Sequence, residues 1–134
     1  MGAWGIGIFD NDGACDLAGL VAEGGGLAAL AEALDAVLAQ GPEYLEISEG
    51  EAGLAAADIV ARLKGNPGRS DSYTEEVDAW VARQRAAPSA ALIAKARKAI
   101  KRILSEPSEL LELWQEHDDF DVWKSGTADV LARL

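Results

Sequence analysis

The sequence predicts a mainly α fold, a compact bundle of about six to seven helices with a short extended N-terminal arm. Three observations carry that prediction. Apolar residues recur at three- and four-residue spacings through most of the chain, the period at which side chains share one helical face. Glycine and proline clusters at 24–26, 41–42 and 65–68 cut the pattern into helix-length pieces, because glycine loses backbone entropy in a helix and proline lacks the N–H that a helix needs. Residues that cap free backbone N–H groups stand where the pieces begin.

The arm covers residues 1–9. Trp4, Ile6 and Ile8 alternate with Gly5 and Gly7, which suits an extended segment that packs one face while its glycines let another backbone approach. Such a segment is too short to be stable alone, so it is expected to lie in a groove between helices of a monomer. Pairing of two arms edge to edge in a dimer is the alternative. A first helix then starts at Phe9-Asp10-Asn11-Asp12, capped by Asn11 or Asp12, and runs to about Ala22. Three consecutive glycines end it.

Leu27, Leu30, Leu34, Val37 and Leu38 share one face of a second helix over residues 27–39. A third, at 52–63, is alanine-rich and narrow enough for close packing, with Ile59, Val60 and Leu63 together. Residues 65–73 read as a loop. Thr74 is placed to cap a fourth helix with Glu75 and Glu76 in its first turn and Val77, Trp80 and Val81 inward. Pro88 and Ser89 open the fifth, which sets Leu92, Ile93, Ala96, Ile100, Ile103 and Leu104 against Lys95, Arg97, Lys98, Lys101 and Arg102. Pro107 suits the first turn of a sixth helix carrying Leu110, Leu111 and Trp114. Asp118 or Asp119 is expected to cap a last helix with Phe120, Trp123, Thr127, Val130, Leu131 and Leu134 inward.

The chain has 134 residues, 49% hydrophobic and 26% charged. That is the composition of a globular protein and a length that fits one domain over residues 1–134. The uncharged stretches at 1–9 and 24–31 fall short of the roughly 20 apolar residues of a membrane-spanning helix. The glycine-rich start, without Lys or Arg, is unlike a secretory signal. Cys15 is the single cysteine, so no internal disulfide can form, and a cytoplasmic location is expected.

The net charge of −11 comes in blocks. Residues 1–61 hold eleven acids and no Lys or Arg, seven basic residues follow between Arg83 and Arg102 without an acid among them, and seven acids lie between Glu106 and Asp121. Such a surface repels nucleic acid and anionic lipid and attracts basic protein surfaces, so the expected partner is another protein, not a nucleic acid or a membrane.

No catalytic set emerges. Asp10-Asn11-Asp12-Gly13 fails as a calcium loop, because aligning Gly13 with the obligatory glycine puts Ile8 and Gly19 where the essential carboxylates belong. Gly2, Gly5 and Gly7 lack the spacing of a dinucleotide loop and the Lys-Ser/Thr ending of a phosphate loop. His117 lies among Glu112, Glu116, Asp118, Asp119 and Asp121, but it is the only histidine, so no metal site is assigned and Glu116, His117 and Asp119 are the nearest approach to one. Cys15 and His117 are the only nucleophile and base available to cysteine chemistry, and Cys15 falls in the first helix where burial is expected. Lys95, Arg97, Lys98, Lys101 and Arg102 form a solvated basic face that can dock an acidic protein surface, and the four tryptophans read as core.

The start of the chain, Met1-Gly2-Ala3-Trp4-Gly5-Ile6-Gly7-Ile8-Phe9-Asp10-Asn11-Asp12 with Ala14 and Asp16, resembles the DUF4259 family of bacterial proteins. Its motif places Trp4, Gly5, Gly7, Phe9, Asp10, Asn11, Asp12 and Asp16 as the distinctive N-terminal residues. The resemblance implies no activity and no catalytic residue. Expected function is therefore a non-enzymatic protein-interaction or regulatory module without a cofactor, in its sharpest version an immunity- or antitoxin-like inhibitor whose acidic surface covers a basic cleft. The alternative is a divalent-metal-binding protein or hydrolase using carboxylates at Asp10, Asp12 and Asp16 or around His117.

Overall fold

The computed structural model describes residues 3–134. Among them are seven α-helices: α1 (Asp12–Leu20), α2 (Gly26–Leu38), α3 (Ile47–Leu63), α4 (Glu75–Arg83), α5 (Ala90–Ile103), α6 (Glu109–Gln115) and α7 (Phe120–Arg133). The fold is mainly helical, and the only strand-like pairings among these residues are two isolated bridges, Ala3 with Asn11 and Leu45 with Ser108.

α3 is the axis. It packs against α1, α2, α4, α5, α6 and α7, and every residue from Gly53 to Arg62 is buried. It starts five residues before the expected Ala52. Glycine lowers helix propensity by about 1 kcal/mol, so Gly50 and Gly53 argue against a helix from sequence alone. Tertiary packing reverses that judgement. A Cβ on Gly53 would collide with Val37 of α2, and one on Gly50 would press on Leu110 of α6 at 3.3 Å. The missing side chains let α2 and α6 close on α3, and the Glu109 carboxylate anchors its start by accepting from the Ile47 N–H at 2.9 Å.

α1 and α2 are joined by a wide turn over Val21–Gly25. The run Asp12–Leu38 is long and apolar enough, by length and composition, to cross a membrane. It is broken, however, where Gly24 and Gly26 adopt φ of 126° and 56°, conformations that L side chains resist, and both helices lay buried faces on α3. Leu30, Leu34 and Val37 enter the core as expected, whereas Leu27, beside the break, stays half exposed.

The caps are partly as anticipated. Asn11 accepts from the Ala14 N–H at 2.7 Å and Ser89 from the Leu92 N–H at 3.1 Å. Thr74 does not cap α4. Its hydroxyl accepts from the Asp71 N–H at 3.0 Å and meets Asp78 Oδ2 at 2.8 Å, since its own backbone is already helical. Asp119 precedes α7 without a side-chain cap. α6 begins after Ser108 rather than at Pro107, whose carbonyl is taken by the Leu45 N–H at 3.1 Å and by Arg102.

Arg102 and Lys95 depart from the free basic face. The Arg102 guanidinium donates to the carbonyls of Gly41, Glu43, Ser105 and Pro107, fastening the α2–α3 and α5–α6 connections together. Lys95 pairs with Asp35 of α2 at 2.8 Å. Arg97, Lys98 and Lys101 of that face remain exposed.

A candidate binding groove beside the N-terminal loop

The residues expected to run as an extended arm close into a loop instead. The Trp4 N–H donates to the Asp10 carbonyl at 2.9 Å and the Asp10 N–H to the Gly7 carbonyl at 3.1 Å, so the described part of the arm returns on itself. The alternation of glycine has a different cause from backbone approach. Cβ atoms on Gly5 and Gly7 would lie 2.6 and 2.7 Å from Asp10 Oδ2, so the glycines make room for a carboxylate, which accepts from the Gly7 N–H at 2.9 Å. Arg69 binds both Asp10 oxygens at 3.2 Å and tethers the loop to the segment between α3 and α4. Phe9 is buried under the Arg62 guanidinium, 5.5 Å from the ring centre.

On one side of this loop lies a seam of paired charges. Arg62 of α3 donates to Asp58 Oδ2 at 2.8 Å, Asp78 Oδ1 at 2.7 Å and the Arg69 carbonyl. Arg133 of α7 holds the other Asp58 oxygen, and Asp129 at 2.9 Å. Around them is a cavity of about 170 Å³ with Ile6, Gly7, Ile8 and Phe9 on its loop wall. Every charged group named here has its partner, so the seam fastens α3, α4, α7 and the loop together.

The other side is different. A groove of about 760 Å³ is bounded by Ala3, Trp4, Gly5 and Ile6 of the loop, Ile47 and Glu51 one turn apart on α3, Leu113 and Trp114 on α6, and His117 and Asp119 in the turn before α7. The volume falls in the range of ligand sites, roughly 300–1,000 Å³, and the walls are mostly apolar. Trp4 is 49% exposed and leans on the exposed Tyr73 ring 5.4 Å away, so this tryptophan is not core, whereas Trp80, Trp114 and Trp123 are. Leu113 is 43% exposed although its helix buries Leu110, Leu111 and Trp114. His117 packs on Trp114 at 4.9 Å and its Nδ1 accepts from the Asp119 N–H at 3.1 Å, which leaves Nε2 as the ring's donor.

Glu51 is the buried acid of the groove wall. It is 6% exposed, and no buried side-chain nitrogen or oxygen among the described residues lacks a hydrogen-bond partner. Burial pushes its pKa up, and the negative charges of Asp12 and Glu109 add to that. Each charged residue of the seam, by contrast, meets an opposite charge.

Two sequence-derived sets thus meet in one place: Trp4 and Gly5 of the N-terminal motif, and His117 and Asp119 of the acidic ending. Glu116 is exposed and does not line the groove, and among the described residues no three His, Cys, Asp or Glu groups stand close enough to hold a metal ion. Asp12 and Asp16 are exposed on α1, and Asp10 is occupied by Arg69, so these three carboxylates do not converge either. The Cys15 thiol points to the Phe9 carbonyl at 3.3 Å, and burial and the neighbouring acids raise its pKa, the reverse of an activated nucleophile.

A mainly helical protein with an N-terminal glycine-rich loop is thereby defined by fold and site. Residues 2–126 match the family described as Domain of unknown function (DUF4259), and the chain belongs to that family. No curated protein and no solved structure matches it.

Proposed function

We propose that this protein is a non-enzymatic interaction module that receives a segment of another protein in the groove between the N-terminal loop and α6. One observation carries the reading: apolar side chains that a core would normally claim, Trp4 and Leu113, stand half exposed on the walls of this groove. Exposed aromatic and aliphatic groups clustered at a concave site are the usual anchors of protein recognition. The net charge of −11 favours a basic partner by long-range attraction. An inhibitor that covers a basic cleft, in the manner of an immunity protein or antitoxin, is the sharpest form of this reading.

The test uses wild type and Trp4→Ala as baits in the native host, followed by calorimetry with each purified partner. A partner of the groove loses about tenfold or more in affinity with Trp4→Ala, the usual scale of an aromatic anchor, while the melting temperature holds. Partners that bind both baits equally would refute the groove as the docking site.

A further inference from the structure

The basic side of α5 is only partly used by the fold. The chain holds 12 Lys and Arg against 23 acids, so acids are in excess for any cation that can reach one. Arg62, Arg69, Arg133 and Lys95 each pair with an acid, and Arg102 is taken up by backbone carbonyls. Arg97, Lys98 and Lys101 are exposed and form no ion pair with any described residue, and Met1 and Gly2 bring no acidic side chain. We infer that this outer face of α5 is a second docking surface, separate from the groove, for an acidic segment of a partner protein whose carboxylates pair with Arg97, Lys98 and Lys101.

Helical geometry gathers the three cations. Arg97 and Lys101 lie one turn apart and Lys98 beside them, within an arc of about 100° and a rise of about 6 Å. The opposite side of the helix is fixed in the core through Ala96, Ala99, Ile100 and Ile103, so the face is held rigid. The negative end of the helix dipole gives a structural reason for Lys101, in the last turn, but that effect fades within one turn and leaves Arg97 and Lys98 without one. Complementary charge is what such a face recognises. The net charge of −11 does not forbid an acidic partner, because charges farther away than about 8 Å are screened at physiological ionic strength. It does limit the partner's extent. Lys95, on one flank, is already held by Asp35 of α2, and exposed Glu106 stands beyond the C-terminal end of α5. A nucleic acid, whose phosphates continue past three cations, runs onto those acids, whereas a short run of Glu or Asp ends before them.

The experiment titrates the full chain, near physiological ionic strength, with the blocked peptide Ser-Glu-Leu-Glu-Glu-Leu-Glu-Ser, its counterpart with glutamine at every glutamate, and an oligodeoxythymidylate of the same charge. Binding is read at the backbone amide signals of Arg97, Lys98 and Lys101 by two-dimensional NMR. The glutamate peptide should bind about tenfold tighter than the glutamine peptide, the scale of three exposed ion pairs, and tighter than the oligodeoxythymidylate. Joint replacement by Arg97→Gln, Lys98→Gln and Lys101→Gln should bring the two peptides to equal affinity while the melting temperature holds, since all three side chains are exposed. Equal binding of the two peptides to wild type, or shifts from neither, would overturn the inference. A preference for glutamate that survives the triple replacement would place the acidic segment elsewhere and overturn it as well. Tighter binding of the oligodeoxythymidylate would assign the face to a nucleic acid and overturn a protein partner. The groove stands or falls separately, on Trp4→Ala.

Discussion

The two faces of the N-terminal loop use the same chemical groups to opposite ends. Toward α7, Asp58, Arg62, Arg133 and Asp78 saturate one another, and Phe9 lies under the Arg62 guanidinium. Toward α6, Glu51 is buried too, and the described charges that act on it are the acids Asp12 and Glu109. A buried charge with its partners rigidifies a fold, whereas one crowded by like charges has its ionised form disfavoured. Ile6 lines both cavities, so the loop is the wall that separates a fastening seam from an open site.

The comparison is broken most severely at the seam. Arg62→Met removes the cation that serves Asp58, Asp78 and the Arg69 carbonyl together, and stranding buried charges typically costs about 3–5 kcal/mol. Urea unfolding should report a loss of that size. A loss near zero would mean that the seam contributes nothing net.

Gly7→Ala ranks next. Its Cβ would enter the space of Asp10 Oδ2 and Arg69 Nη2, both 2.7 Å away, and overpacking of this kind costs about 1–3 kcal/mol. Thermal unfolding should show the loss, and Gly126→Ala, with nothing within 4 Å of the added Cβ, should not show it. Smaller again is Asn11→Ala, which deletes the side-chain cap on Ala14 and should cost about 1 kcal/mol by urea unfolding.

These positions also mark what could be read in the sequence. α2, α5 and α7 were legible because their apolar period and boundaries agree, and Asn11 and Ser89 cap as their chemistry suggests. The first turns of α3 were not, since Gly50 and Gly53 matter only through Val37 and Leu110 on other helices. The loop was misread because glycine alternating with large apolar residues looks the same whether the glycines face a backbone or a folded-back Asp10 carboxylate. A signal for the seam did exist: Asp58 and Arg62 stand four apart inside an alanine-rich apolar helix, where a charge pair implies burial. The groove offered none, as its walls come from residues 3–6, 47–51 and 113–119, far apart in the chain.

The smallest effect is the most telling one. Glu51→Gln keeps the shape of the side chain and removes its charge. Because the folded-state pKa of Glu51 is raised above its unfolded value, its ionised form is disfavoured in the native protein. The stability tied to its protonation is fully present below the ordinary glutamate range and is lost as pH rises through the folded value. Asp12 and Glu109 are acids, and their charges at neutral pH widen the penalty.

Thermal unfolding of wild type and Glu51→Gln, side by side from pH 7.5 down to pH 4, therefore tests most directly whether burial beside Asp12 and Glu109 disfavours the ionised Glu51. The glutamine variant should melt at higher temperature near pH 7, and the gap should close as the pH falls into the ordinary glutamate range. A glutamine variant that melts at or below the wild-type temperature near pH 7 would contradict a Glu51 charge that the native fold disfavours.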